Sequence, residues 1–231
     1  MTRVLGLGLI AEVLTKKIGA LPRITKRELS AHKLICKKLV WFYEEVTLQG
    51  ARIKTQIKQT KAQYELCSNP SEKRILGEIL TDQNRTLALI RKQQRQYEKH
   101  LKDLLKTAGS GNLFTIPGID TILAGKILAH AGGIERFQTI DKFIKYAGIA
   151  PTEKSSGKSK RYIKNTKGNR KLNATFYLAA LGQIRWNPKA KEYYQKKIKE
   201  GKSKKQALVC VMKRIACIVY GMLKSGEDYR G

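Results

Sequence analysis

Two long hydrophobic repeats constrain this chain more than anything else in it. In the first, Leu29, His32, Cys36, Leu39, Tyr43, Val46, Gly50, Ile53, Ile57, Thr60 and Tyr64 follow one another in alternating steps of three and four. In the second, Leu76, Leu80, Gln83, Leu87, Ile90, Gln94, Tyr97, Leu101 and Leu104 do the same. Such a period places one stripe on each of two helices and asks for them to pack side by side. Between them, Asn69 suits an N-cap, Pro70 the first helical position and Glu72 the third, so the second helix starts near Pro70. The expected architecture is a long antiparallel helical hairpin, or coiled coil, over 26–107. His32, Gln83 and Gln94 either set its register or face water.

Ala108-Gly109-Ser110-Gly111-Asn112 ends the second helix. A compact helical domain is expected over 108–231, so the fold class is all-α. No alternating run is long enough to argue a sheet. Ile116-Pro117-Gly118-Ile119 is a turn followed by a small-residue helix with Ala124, Gly125 and Ala129. It resembles the second half of a helix-hairpin-helix motif, whose turn amides face a phosphate. Asp120 stands where that motif usually has a second glycine, and it suits a helix cap. Phosphate contact at Gly118 and a purely structural turn are both open. A short helix is expected from a cap near Thr139 to Gly148, and an apolar helix over 172–184.

The charge is unusual. Lys and Arg number 47 against 18 acids, a net charge of +29 with a pI near 10.1. That excess favours a polyanionic partner, with nucleic acid ahead of a membrane surface. No apolar run reaches the roughly 18 residues of a membrane span, and 1–12 is too short and too soon interrupted by Glu12 for a signal peptide. Cys36, Cys67, Cys210 and Cys217 form no CxxC pair and no metal-ligand spacing, and are expected as reduced core residues. His130 is expected to pack or face solvent. Trp41 and Trp186 are expected in the core or an interface rather than as base-stacking platforms. The lysine-rich run 189–205, with Tyr193 and Tyr194, is either a phosphate-tracking helix or a solvated face.

The densest charge lies between Lys154 and Lys171, with eight Lys or Arg and no acid. Ser155, Ser156 and Ser159 sit among them and Gly157 loosens the backbone. By composition this is a phosphate-binding loop. It is also a place where a serine could attack a phosphodiester, because fixed cations stabilise charge on the phosphoryl oxygens. No nearby carboxylate apart from Glu153 offers a general base, so the serine proton would have to leave by another route.

The order Ile116-Pro117-Gly118-Ile119, Phe137, Tyr146 to Pro151, Ser155-Ser156-Gly157, Lys167-Gly168-Asn169-Arg170, Leu172, Tyr194 and Gly201-Lys202 closely resembles the C-terminal domain of the bridge-RNA-guided insertion-sequence transposases, a DEDD-type family with a catalytic serine. The preceding helices resemble that family's coiled-coil linker. The resemblance implies serine attack on DNA with a covalent phosphoserine link, in DNA transposition and recombination directed by a structured guide RNA. It maps the nucleophile to Ser156, with Ser155 second. It assigns nucleic-acid contact to Lys158, Lys160, Arg161, Lys164, Lys167, Arg170 and Lys171.

The family's RuvC-like domain with four acidic metal ligands is not in this sequence. Residues 1–25 are read as its remnant, and the chain as a truncated transposase, inactive by itself. No metal site and no cofactor are expected in this chain, and Mg2+ belongs to the missing acidic domain. The implied partners are DNA, guide RNA and a second copy through the coiled coil, in the cytoplasm at the nucleoid, with no membrane. The alternative is a non-catalytic basic helical protein that binds DNA or RNA.

Overall fold

The structure is a computed structural model that describes residues 26–150, 152–156, 159–163 and 168–230, the side chains of residues 26–30 and of the strands excepted. The expected remnant over 1–25 lies outside the described residues. The chain divides into two compact units, one of residues 38–100 and one of residues 1–37 with 101–231.

Two helices, α1 (Lys26–Leu66) and α2 (Pro70–Thr107), carry the repeats. Asn69 Oδ1 accepts from the Ser71 amide at 3.0 Å, and Asn69 Nδ2 donates to Glu72 Oε1 at 3.4 Å. These contacts start α2 at Pro70, where the sequence placed it. Within the 38–100 unit, the seam residues Leu39, Val46, Ile57, Leu87 and Ile90 are buried. Gly50 lets the helices approach, since a Cβ there would lie 3.1 Å from Ile90 Cγ2. Gln83 Nε2 donates to Thr60 Oγ1 at 3.2 Å and Gln94 Nε2 to Thr47 Oγ1 at 3.0 Å. As one number rises the other falls, so the helices run antiparallel. Both glutamines cross between the helices rather than simply facing water. Trp41 lies off this seam and is 53% exposed, so of its two expected places, core or interface, it is not in the core.

The second unit holds the ends of α1 and α2 with five further helices. These are α3 (Thr121–Ala131), α4 (Ile140–Tyr146), α5 (Arg170–Trp186), α6 (Pro188–Lys199) and α7 (Lys204–Ser225). Each is started by its own cap. Asp120 accepts from the Leu123 amide at 2.7 Å, Thr139 from Lys142, Asn169 from Leu172 and Asn187 from Lys189. Ser203 and Gln206 form a reciprocal capping box. Helix α5 packs on α3, α6 and α7.

The core gathers around Phe143 and Phe176, ring centroids 6.0 Å apart, with Leu172, Ile127, Val211 and Ile215 fully buried. Tyr220 closes it by donating from its hydroxyl to the Phe137 carbonyl at 3.0 Å. Each such large apolar side chain contributes roughly 1.5–3 kcal/mol of burial. Leu101 and Leu105 enter this core from α2, and the Cys36 thiol donates to the Gly125 carbonyl at 3.5 Å. Burial pushes the Cys36 thiol up to about 12, so it stays protonated.

Three expectations need correction. Cys67, Cys210 and Cys217 are only half-buried, since they lie at the margins of their helices rather than on the core face. Helix α7 is long and apolar enough to cross a membrane by length and composition, although no such run was expected. Its inner row, Ala207, Val211, Ile215, Val219 and Tyr220, is instead buried in this unit. The fold class is all-α, but residues 152–163 depart from it. They form an antiparallel ribbon of β1 (Thr152–Ser156) and β2 (Ser159–Ile163). The sequence shows little alternation there, and each strand is only five residues long. Thr152, Tyr162 and Ile163 supply some strand preference.

Candidate nucleic-acid interface

The basic serine segment is therefore a ribbon rather than a loop. Its register pairs Thr152 with Ile163, Glu153 with Tyr162, Lys154 with Arg161, Ser155 with Lys160, and Ser156 with Ser159. Ser156 is the last rung before the connection, and Ser155 is one rung further from it. Lys160 and Arg161 lie on β2. Lys158, Lys164 and Lys167 lie outside the described residues. Arg170 and Lys171 are exposed in the first turn of α5.

The structure is most definite where the ribbon meets the helices. Gly148, in the left-handed region at φ +68°, lies directly against Gly168. A Cβ on Gly168 would fall 2.3 Å from Gly148 Cα and 2.5 Å from its nitrogen. Only two glycines allow this approach. The Asn169 amide then donates to the Tyr146 carbonyl at 2.7 Å. Asn169 Nδ2 donates to the His130 carbonyl at 3.3 Å and to the Tyr146 hydroxyl at 3.1 Å. The Tyr146 hydroxyl donates to the same His130 carbonyl at 3.2 Å. One turn along α5, Asn173 Nδ2 donates to the carbonyls of Ala147 and Gly148 at 3.1 and 3.0 Å.

These contacts make a clamp that joins the end of α4, the end of α3 and the start of α5. It draws together the two chain ends of the ribbon segment, residues 148 and 168. Arg136 lies over the rings of Phe137 and Tyr146, 4.8 and 4.5 Å from their centroids, and is exposed. The clamp thus carries a cation on its outer side. Sequence reading did not assign Tyr146, Asn173 or Arg136. The spacing of Asn169 and Asn173, four apart on one helix face beside a glycine, is the signal that could have found the clamp.

Gly118 has φ +78° at the third position of a turn closed by the Ile119 amide to the Ile116 carbonyl at 3.1 Å. A Cβ there would lie 2.8 Å from the Gln183 nitrogen and from the Gly182 carbonyl carbon. The glycine is thus required both by the turn and by the backbone of α5. Tyr193 on α6 is flanked by Lys197 and Arg214, 5.3 and 5.1 Å from its centroid. Lys197 also pairs with Glu200 at 2.8 Å. Part of the lysine-rich run is therefore occupied by contacts within the unit.

Trp186 is 69% exposed at the end of α5, so of its two expected places, core or interface, it is not in the core. Its position falls beside Gly182 on the helix, past the last core residue, Gln183. Among the described residues, no group of three or more His, Cys, Asp or Glu is placed to hold a metal ion.

Residues 110–195 match the family described as Transposase IS116/IS110/IS902 family. The chain is 30% identical over 146 residues to the insertion element IS110 uncharacterized 43.6 kDa protein of Streptomyces coelicolor, covering 62% of this chain and 36% of that protein. It is 32% identical over 119 residues to the insertion element IS900 uncharacterized 42 kDa protein of Mycobacterium paratuberculosis, covering 51% and 30%. It is 26% identical over 120 residues to the pilin gene-inverting protein of Moraxella bovis, covering 51% and 37%. The matches span about a third of the length of these relatives. The ribbon and its clamp fall wholly inside the matched stretch.

Proposed function

We propose that this chain carries the serine-bearing, DNA-contacting part of an insertion-element transposase or recombinase. The observation that supports this best is the clamped ribbon. The segment between Gly148 and Gly168 carries six cations, Lys154 to Lys167, and is held at both ends by the contact of these two glycines, with Ser155 and Ser156 near its far end. A fixed base gives a short basic ribbon a defined direction, and basic side chains along it can follow a phosphate backbone.

In this reading Ser156 is the nucleophile and Ser155 the second choice. The Ser156 oxygen forms a bond to phosphorus, and the bond from phosphorus to a deoxyribose oxygen breaks. The serine proton passes to a base outside the ribbon, and the leaving oxygen takes up a proton. Lys158, Lys160, Arg161, Lys164 and Lys167 stabilise the phosphoryl charge, while Arg170, Lys171 and the Gly118 turn position flanking phosphates. The acidic metal site, and Mg2+ with it, belongs to a separate domain. A guide RNA and pairing of copies through the 26–107 helices complete the assembly, in the cytoplasm at the nucleoid.

The test is formation of a covalent protein–DNA adduct when the chain is mixed with an intact relative and labelled element-end DNA. Ser156→Ala is expected to abolish adducts on this chain and leave DNA binding intact, whereas adducts retained by Ser156→Ala and lost by Ser155→Ala would move the nucleophile. Duplex binding is expected to fall steeply with salt, and a flat response would remove every nucleic-acid reading. The net charge of +29 also supports one second reading, a chain that binds DNA or RNA without cutting it. That reading predicts salt-dependent binding with no adduct under any pairing.

A further inference from the structure

We infer that Trp186, at the corner between α5 and α6, is a stacking platform for an unpaired nucleotide. The inference rests on the nucleic-acid reading above and extends it from phosphates to bases.

Trp186 is the most exposed aromatic side chain among the described residues, at 69%. An indole this exposed offers a flat apolar face on which a base can stack. The corner that presents it is fixed on both sides. One turn earlier, Gly182 is seated on the Pro117–Gly118 turn, where a Cβ would lie 3.0 Å from the Gly118 carbonyl oxygen. One residue later, Asn187 caps α6 by accepting from the Lys189 amide at 3.1 Å, with Pro188 opening the helix. Arg185 lies 5.0 Å from the indole centroid and brings a cation to the same point.

The surroundings choose the occupant. Around the corner Arg185, Lys189 and Lys191 are exposed, and Glu192 is the first acid beyond them. An aromatic ring beside several cations suits a polyanion whose bases are free to stack. In a duplex each base face is covered by its neighbours, so the fitting ligand is single-stranded nucleic acid.

The chain has two tryptophans, Trp41 and Trp186, so Trp41→Phe leaves Trp186 as the sole emitter. Oligothymidylate and a blunt duplex of equal length serve as probes. The expected result is strong quenching of the Trp41→Phe variant by the single strand and little by the duplex. Trp186→Ala is expected to weaken single-strand affinity about tenfold and leave duplex affinity unchanged, with Trp186→Phe in between. Unchanged emission, together with equal single-strand affinity in Trp186→Ala, would overturn this inference and leave the duplex-binding reading standing. Absence of binding to both probes by the unmodified chain would overturn both. An oligomer that Trp186→Ala dissolves without loss of single-strand affinity would assign the ring to a second copy and overturn the inference as well. Circular dichroism of Trp186→Ala checks the fold, and Trp186→Phe carries the test should the alanine variant misfold.

Discussion

The 38–100 helical pair and the ribbon clamp both depend on glycines in close quarters, but the neighbours differ in kind. At Gly50 the nearest atom to an added Cβ is Ile90 Cγ2, the end of a side chain. At Gly168 the nearest atoms are the backbone of Gly148 and the Tyr146 carbonyl. A side chain can turn aside, whereas backbone held by neighbouring hydrogen bonds cannot. The helical pair is therefore tolerant packing built from a repeat, and the clamp is a single fit built from particular residues.

The sharpest way to break this contrast is Gly168→Ala. It is expected to destabilise the second unit by about 3 kcal/mol, at the upper end of overpacking costs, read as a lower midpoint in urea. A loss below about 1 kcal/mol would mean that the clamp yields as a side chain does. Next is Asn169→Ala, which removes the cap on Leu172 and the donations to His130 and Tyr146. The expected loss is about 2 kcal/mol. Asn169→Asp keeps the cap acceptor and gives up the donations, so recovery of about half of that loss would divide the two roles.

Gly50→Ala is the matching change in the helical pair. The gain in helix propensity and the push on Ile90 oppose each other, so its stability is expected within about 1 kcal/mol of the original. A loss as large as that of Gly168→Ala would erase the distinction between the two regions. The smallest effect concerns the 3.1 Å pair of Lys33 and Glu135 in the second unit. Burial alone would raise the Glu135 carboxyl, but its own backbone amide, the Lys33 hydrogen bond and the Lys33 charge together hold it below the usual carboxylate value. A depressed folded pKa contributes stability that is present above the unfolded value of 4.5 and lost as pH falls through the folded value. With Glu135 65% exposed, screening limits this to about 0.3 kcal/mol. The pH dependence of unfolding below 4.5, compared with that of Glu135→Gln, measures it.

Much of the helical framework was legible because its signals are local. The alternation of threes and fours placed Val46, Ile57, Leu87 and Ile90 on a buried seam. Asn69, Thr139 and Asp120 announced their helices by cap chemistry that spans three or four residues. The ribbon was missed because its strands are five residues each and show little alternation. That Trp186 lies outside the core had no local signal, because it depends on where α5 stops.

What the amino-acid sequence determined by itself was the helical class, the seam, the caps and the excess of cations, all of which follow from side-chain spacing and charge. What only the tertiary structure decided was that Gly148 meets Gly168, that Gly118 seats on Gly182, and that Trp186 stands in water. The first two are contacts between residues 20 and 64 positions apart, and the third is a failure to be covered. Neither has a local signature, because each is settled only when the core around Phe143 and Phe176 fixes where the helices end.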